Sequence, residues 1–116
     1  MTDIIIYHNP RCSKSRETLA LIEGKSDSIE IIKYLDTPPT KATLQQIISQ
    51  LGFTSARQLM RTKEALYSTL ALQDEKDESV LLTAMINNPK LIERPIVIAN
   101  GKAAIGRPPE TVLAII

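Results

Sequence analysis

Apolar positions along this 116-residue chain change period several times. Ile4, Ile5 and Ile6 form an unbroken apolar run, as expected of a short strand buried on both faces. From Ser13 to Glu23 the spacing is helical, with Leu19 and Ile22 on one face and Gly24 as the stop. "SIEIIKYL", residues 28–35, is rich in isoleucine and predicts a second strand. This opening is a β-α-β unit, so the two strands are expected to be parallel with a right-handed crossover.

Pro38 and Pro39 end the strand pattern, and Thr40 suits a helix N-cap. Leu44, Ile47, Ile48 and Leu51 then fall on one helical face, and Gly52 closes that helix. Ser55 caps a predicted helix over 56–61, a short helix is predicted over 63–70, and a further one starts near Asp77. That last helix carries Leu81, Leu82 and Met85 and stops at Asn87-Asn88-Pro89. Residues 40–88 thus read as a helical insert within a single domain, 1–116, because the strands on either side need each other to complete one sheet. "RPIVIANGKAAIG" is two apolar runs parted by Asn100-Gly101, the signature of a two-residue hairpin. "RPPETVLAII" predicts a final helix, with Pro109 near its first turn and Glu110 at its positive end. The order β-α-β, insert, β-β-α predicts an α/β fold with a mixed four-stranded sheet.

Composition adds limits. The chain is 43% hydrophobic and 23% charged, as globular domains are, with a net charge of +1. So small a charge argues against a sequence-independent pull toward nucleic acid or anionic membrane, and any basic site must be local. No apolar run approaches the ~18 residues of a membrane span. The N-terminus lacks the pattern of a signal peptide, so the cytoplasm is the expected compartment. A single cysteine makes no intrachain disulfide, and in that compartment it stays reduced. One cysteine and one histidine are too few soft ligands for a metal site.

Both of those residues lie in "HNPRCSKSRETL", His8 to Leu19, between the first strand and the first helix. Thiolate is the nucleophilic form of cysteine, and several features favour it at Cys12. The helix start offers unpaired N–H groups and the positive end of the dipole. Arg11, Lys14 and Arg16 are near in sequence, and Ser13 and Ser15 can donate to an anion. His8 can supply a further charge or a proton. A lowered Cys12 pKa is expected. The competing reading is that a free cysteine is an ordinary small buried side chain. Cys12-x-x-Ser15 has the spacing of a dithiol motif, but serine cannot resolve a mixed disulfide. Any redox cycle at Cys12 therefore needs a thiol from another molecule.

Arg94 opens the third predicted strand and Arg107 follows the fourth, so both can point at one rim of the sheet. Arg61 closes a helix of the insert, with Arg57 as a nearby competitor for the same role. Arginine suits tetrahedral oxyanions because its fork of donors is rigid and always charged. Each of these could equally be a solvated surface arginine.

"HNPRCSKSRETL" together with "ERPIV" and "GRPPE" resembles the ArsC family of glutaredoxin-linked arsenate reductases, nearly end to end. With Arg11, Ser13 and Lys14 in the loop, the chain is similar to a subgroup of arsenate reductase-like proteins. The resemblance implies a thioredoxin-like fold with a helical insertion and a cis Pro95. It implies that Cys12 attacks arsenate, that Arg61, Arg94 and Arg107 bind the oxyanion, and that His8 and Ser15 tune the thiolate. Glutathione would be a co-substrate and glutaredoxin a partner, with no bound cofactor. Two other readings share the fold: an Spx-like regulator binding RNA polymerase, and a monothiol acting on glutathione mixed disulfides. Ser15 in place of a second cysteine weakens the first of these.

Overall fold

The computed structural model describes residues 3–116. They form two compact units: one holds the chain up to Thr37 together with Arg94–Ile116, the other is Pro38–Glu93.

The first unit is built on a four-stranded mixed sheet of order β2-β1-β3-β4. Its strands are β1 (Ile4–Tyr7), β2 (Ile29–Ile32), β3 (Ile96–Ala99) and β4 (Lys102–Ile105). β1 and β2 are parallel, joined through helix α1 (Ser13–Glu23), as the β-α-β pattern predicts. β3 runs antiparallel to β1 and to β4. The hairpin turn is Asn100-Gly101, with φ of 54° and 76°, the paired left-handed residues of a type I′ turn. One sheet face carries Ile4, Ile6, Val97 and Ala99. These residues pack with Ile22 of α1 and Val112 of the C-terminal 3-10 helix Pro109–Ala114 in one buried cluster. Each isoleucine or valine side chain of the cluster contributes about 1.5–3 kcal/mol when fully buried.

The register places the site. Tyr7, Ile32, Ile96 and Ile105 lie in one row across the sheet. The strands reach this row at the ends of β1, β2 and β4 and at the start of β3. The next residues outward, His8, Lys33, Pro95 and Gly106, therefore share one rim, with Lys33 and Pro95 on opposite sides of His8.

Two predicted elements of this unit are corrected. The strand over 28–35 is only Ile29–Ile32. β2 lies at the sheet edge, and Lys33 starts a turn whose carbonyl accepts from the N–H groups of Asp36 (3.0 Å) and Thr37 (2.9 Å). Tyr34 leaves the ladder and is buried at 1% exposure. The final helix is 3-10, closed by bonds such as Thr111 N–H to Pro108 O and Ile115 N–H to Val112 O. Six residues give few α-helical bonds, so the tighter turn suffices.

The second unit holds α2 (Lys41–Gln50), α3 (Ala65–Thr69) and α4 (Glu78–Asn87). Thr40 and Asp77 cap α2 and α4 by accepting from Thr43 N–H and Ser79 N–H. Gly52, at φ 76°, follows the end of α2 in the left-handed conformation that a residue with a Cβ resists. The helix predicted over 56–61 is a 3-10 segment, Ala56–Leu59, with Ser55 and Gln58 forming a capping box. It stops because the chain turns extended at Met60, which forms an antiparallel bridge with Ile92. The helix predicted over 63–70 is confined to Ala65–Thr69. Leu44, Ile47, Leu59, Leu81, Met85, Leu91 and Ile92 are the unit's largest fully buried apolar side chains.

Candidate active site

The loop between β1 and α1 is tied by its own polar groups. Asn9 Oδ1 accepts from Arg11 N–H (3.0 Å), and the Asn9 carbonyl accepts from Cys12 N–H (3.0 Å). That second bond makes Asn9-Pro10-Arg11-Cys12 a β-turn, with proline at its favoured second position. Arg16 reaches back to donate to the Pro10 carbonyl (2.9 Å). Cys12 is thereby held as the N-cap of α1, extended at φ −95° and ψ 123°, with no acidic residue in the helix's first turn. Its thiol is 8% exposed.

Burial by itself pushes the Cys12 pKa up. The N–H group of Ser15, the guanidinium of Arg94, the N–H group of Lys14 and the guanidinium of Arg107 outweigh it, and the net shift is downward. No cap hydrogen bond of ordinary geometry reaches the Cys12 side chain. One guanidinium nitrogen of Arg107 lies 3.7 Å from Sγ. Its Nε donates to the Arg94 backbone carbonyl at 2.8 Å, which orients the Arg107 side chain beside the thiol. The neighbours in sequence act differently from what their nearness suggests. Lys14 pairs with Glu17 at 3.6 Å on the surface, and Arg16 holds the loop.

His8 is buried at 6% exposure, and its Nδ1 lies 2.6 Å from Ser15 Oγ. Burial first, and then the charges of Lys33 and Arg16, lower its pKa. The imidazole is therefore neutral at pH 7 and supplies no positive charge to Cys12. Ser15 Oγ also accepts from Asn9 N–H at 3.0 Å. Ser15, fully buried, thus joins the strand end, the loop and the first turn of α1.

Sequence reading missed the packing that seats Arg107. A Cβ on Gly106 would stand 2.4 Å from Thr18 Oγ1 and 2.8 Å from Pro95 Cγ. Only glycine lets the chain come this close to α1 just before Arg107. Thr18 is fully buried and donates to the Lys14 carbonyl at 2.7 Å. Nothing in a linear pattern marks a glycine needed for a contact 88 positions away in the chain. Pro95 is cis, as the resemblance implies, and Arg107–Pro108 is a second cis bond that no sequence signal announced.

Arg61 belongs to the second unit. Its guanidinium faces Glu64 at 3.1 Å and Glu93 at 3.9 Å, and its N–H donates to the Leu91 carbonyl. Arg57 donates to the Tyr67 hydroxyl and to the carbonyls of Leu72 and Glu75, with its guanidinium over the Tyr67 ring. These three acceptors commit Arg57 to holding its own unit together. Among the described residues, no His, Cys, Asp and Glu side chains group in threes to hold a metal ion. No helix among them is long and apolar enough to cross a membrane.

The fold and site define a class: a thioredoxin-like α/β protein with one thiol at the start of its first helix and two arginines on the neighbouring strand ends. The profile of the ArsC family matches residues 7–115. The chain is 58% identical over 112 residues to the uncharacterized protein YfgD of Escherichia coli K12, covering 96% of this chain and 94% of that one. It is 50% identical over 117 residues to the arsenate reductase of Neisseria meningitidis Z2491, covering all of both. The solved structure of an arsenate reductase from Vibrio cholerae superposes with a TM-score of 0.93 at 51% identity, covering 97% of each chain. The chain belongs to the ArsC family.

Proposed function

We propose that this protein reduces arsenate to arsenite in the cytoplasm, using Cys12 as nucleophile and thiols from outside the chain as the electron source. The observation that carries the reading is the Cys12 sulfur at a helix start, 3.7 Å from Arg107, with its pKa lowered partly by Arg94. Membership of a family with several members named arsenate reductase supports the choice of substrate. Arsenate is a tetrahedral anion, and Arg94 and Arg107 offer it fixed donors close to the attacking sulfur. Arg61 is proposed as a third anion ligand on the family resemblance. His8 and Ser15 hold the first turn of α1 in place and so keep its N–H groups on the thiolate.

The cycle balances as follows. The Cys12 thiolate displaces a hydroxyl of arsenate, which takes a proton from solvent and leaves as water, and arsenic stays at +5. Glutathione replaces a second oxygen, again with loss of water. A glutaredoxin thiol then attacks the glutathione sulfur. The electron pair of the arsenic–sulfur bond stays on arsenic, which falls to +3, and a glutaredoxin–glutathione disulfide departs. Water cleaves the remaining bond, releasing arsenite and the Cys12 thiol. Both reducing thiols come from outside because the chain has one cysteine.

The test is arsenate reduction by wild type, Cys12→Ser and Arg94→Ala, coupled to glutathione, glutaredoxin and NADPH regeneration. Turnover is expected only with Cys12 present, and with a raised arsenate KM in Arg94→Ala. No turnover in wild type, or full turnover in Cys12→Ser, overturns the reading.

A further inference from the structure

The sheet order leaves Cys12 with two unlike flanks. Arg94 and Arg107 come from the β3 and β4 side of the rim, the side on which the proposed reading seats the oxyanion. On the β2 side lies a hollow of about 330 Å³, lined by His8, Asn9, Pro10, Arg11, Lys33, Leu35 and Asp36. Three of these, Asn9, Pro10 and Arg11, are the turn that carries Cys12, so the wall of the hollow and the mount of the nucleophile are one structure.

The lining is chemically mixed. Arg11 and Lys33 bring two positive charges, Asp36 one negative charge, and Leu35 an apolar side chain that is 38% exposed. That set complements a short peptide with two carboxylates and one ammonium group. The size lies at the low end of the ~300–1,000 Å³ of small-ligand pockets. A larger hollow, about 440 Å³, opens at the opposite rim around Asp3, Lys25 and Asn100, away from the thiol. The β2-side hollow joins a fitting charge pattern to the Cys12 loop.

We propose that the hollow beside β2 is the subsite for the carboxylate-bearing peptide thiol of the cycle, with Lys33 and Arg11 holding its carboxylates and Asp36 its ammonium group. The assignment rests on the arsenate reading above and names where the second reactant of that reaction sits. From there the peptide's sulfur reaches the arsenic from the flank the arginines do not cover. It bonds to arsenic as its proton and an arsenic-bound hydroxyl leave together as water.

S-methylglutathione keeps the charges of glutathione but cannot react, so it separates binding from chemistry. Titrated into isotope-labelled wild type, it is expected to move the amide signals of Arg11 and Lys33–Asp36, and to bind about tenfold more weakly to Lys33→Glu. Arg11→Glu is expected to show a similar loss, which guards against an effect of Lys33→Glu on folding. In the coupled assay both variants should raise the KM for glutathione and leave the KM for arsenate unchanged. Absence of binding at millimolar ligand, signals moving instead around Arg107 or at the opposite rim, or equal affinity in both variants overturns the subsite. Arsenate turnover with an excess of a small non-peptide thiol decides the underlying reading separately. If that turnover persists while binding to the hollow fails, the subsite alone falls. If binding holds and no thiol supports turnover, the arsenate reading falls.

Discussion

Cys12 is nearly buried, yet its titration is governed by the groups that face it. Its thiol should alkylate with half-reaction below the ordinary ~8.5, and in Arg107→Ala the midpoint should move up. Iodoacetamide rates against pH measure both, and an unmoved midpoint in the variant would refute the part given to Arg107. The same shift has a consequence for stability. A thiol with a lowered folded pKa leaves the unfolded chain holding more protons between the two pKa values, so stability rises with pH there. The contribution is complete above the unfolded value and is lost as pH falls through the folded one. Denaturant midpoints of wild type minus Cys12→Ser, followed from pH 5 to about 9, should therefore diverge in favour of wild type as pH rises. His8 titrates in the opposite sense to a charge donor: burial and nearby cations keep it neutral. Its partnership with Ser15 is thus a matter of position.

At the scale of elements, α1 and the chain after β4 must touch for Arg107 to reach the thiol. Gly106 permits this by bringing backbone against Thr18 and Pro95. Gly106→Ala should cost about 1–3 kcal/mol of stability, as overpacking does, and should also move the Cys12 midpoint upward. A variant that is merely less stable, with the thiol midpoint unchanged, would show that the contact does not position Arg107. In the second unit, Arg57 satisfies two backbone carbonyls and a tyrosine hydroxyl with one side chain. Arg57→Ala should lower stability by about 1–3 kcal/mol, the cost of leaving such groups unpaired, with the Cys12 midpoint unaffected. Thermal melts alongside the alkylation profile separate these outcomes.

For the whole molecule, the central fact is the count of thiols. In the proposed cycle the electron pair comes from two outside thiols that join as a disulfide, and the chain's one cysteine has no second thiol within the chain to pair with. Wild type mixed with arsenate and no other thiol should therefore release no arsenite, even in stoichiometric amount. Arsenic speciation of a quenched single-turnover mixture measures this, and arsenite formed without added thiol would overturn the proposed cycle. The net charge of +1 fits a catalyst whose anion affinity is concentrated at a few fixed side chains.

Period, proline and glycine placement determined much of this protein in advance. The apolar run of β1, the helical spacing of α1 and α2, the caps at Thr40 and Ser55, the helix start near Asp77, and the Asn100-Gly101 turn are all local signals. They survive because neighbouring residues decide them. Cys12 at the start of α1 was legible for the same reason, as were Arg94 and Arg107 at strand ends. What failed locally was decided by partners far along the chain. β2 shortens because it lies at an edge, the 56–59 helix stops because Met60 bridges Ile92, and Gly106 is required by Thr18 on another element. Sequence proximity also misassigned the source of charge on the thiol. Arg11, Lys14 and Arg16 are near along the chain, but Arg94 and Arg107 are near in space. A four-stranded mixed sheet brings the ends of β1, β2 and β4 and the start of β3 to one rim, and that meeting exists only once the strands have paired.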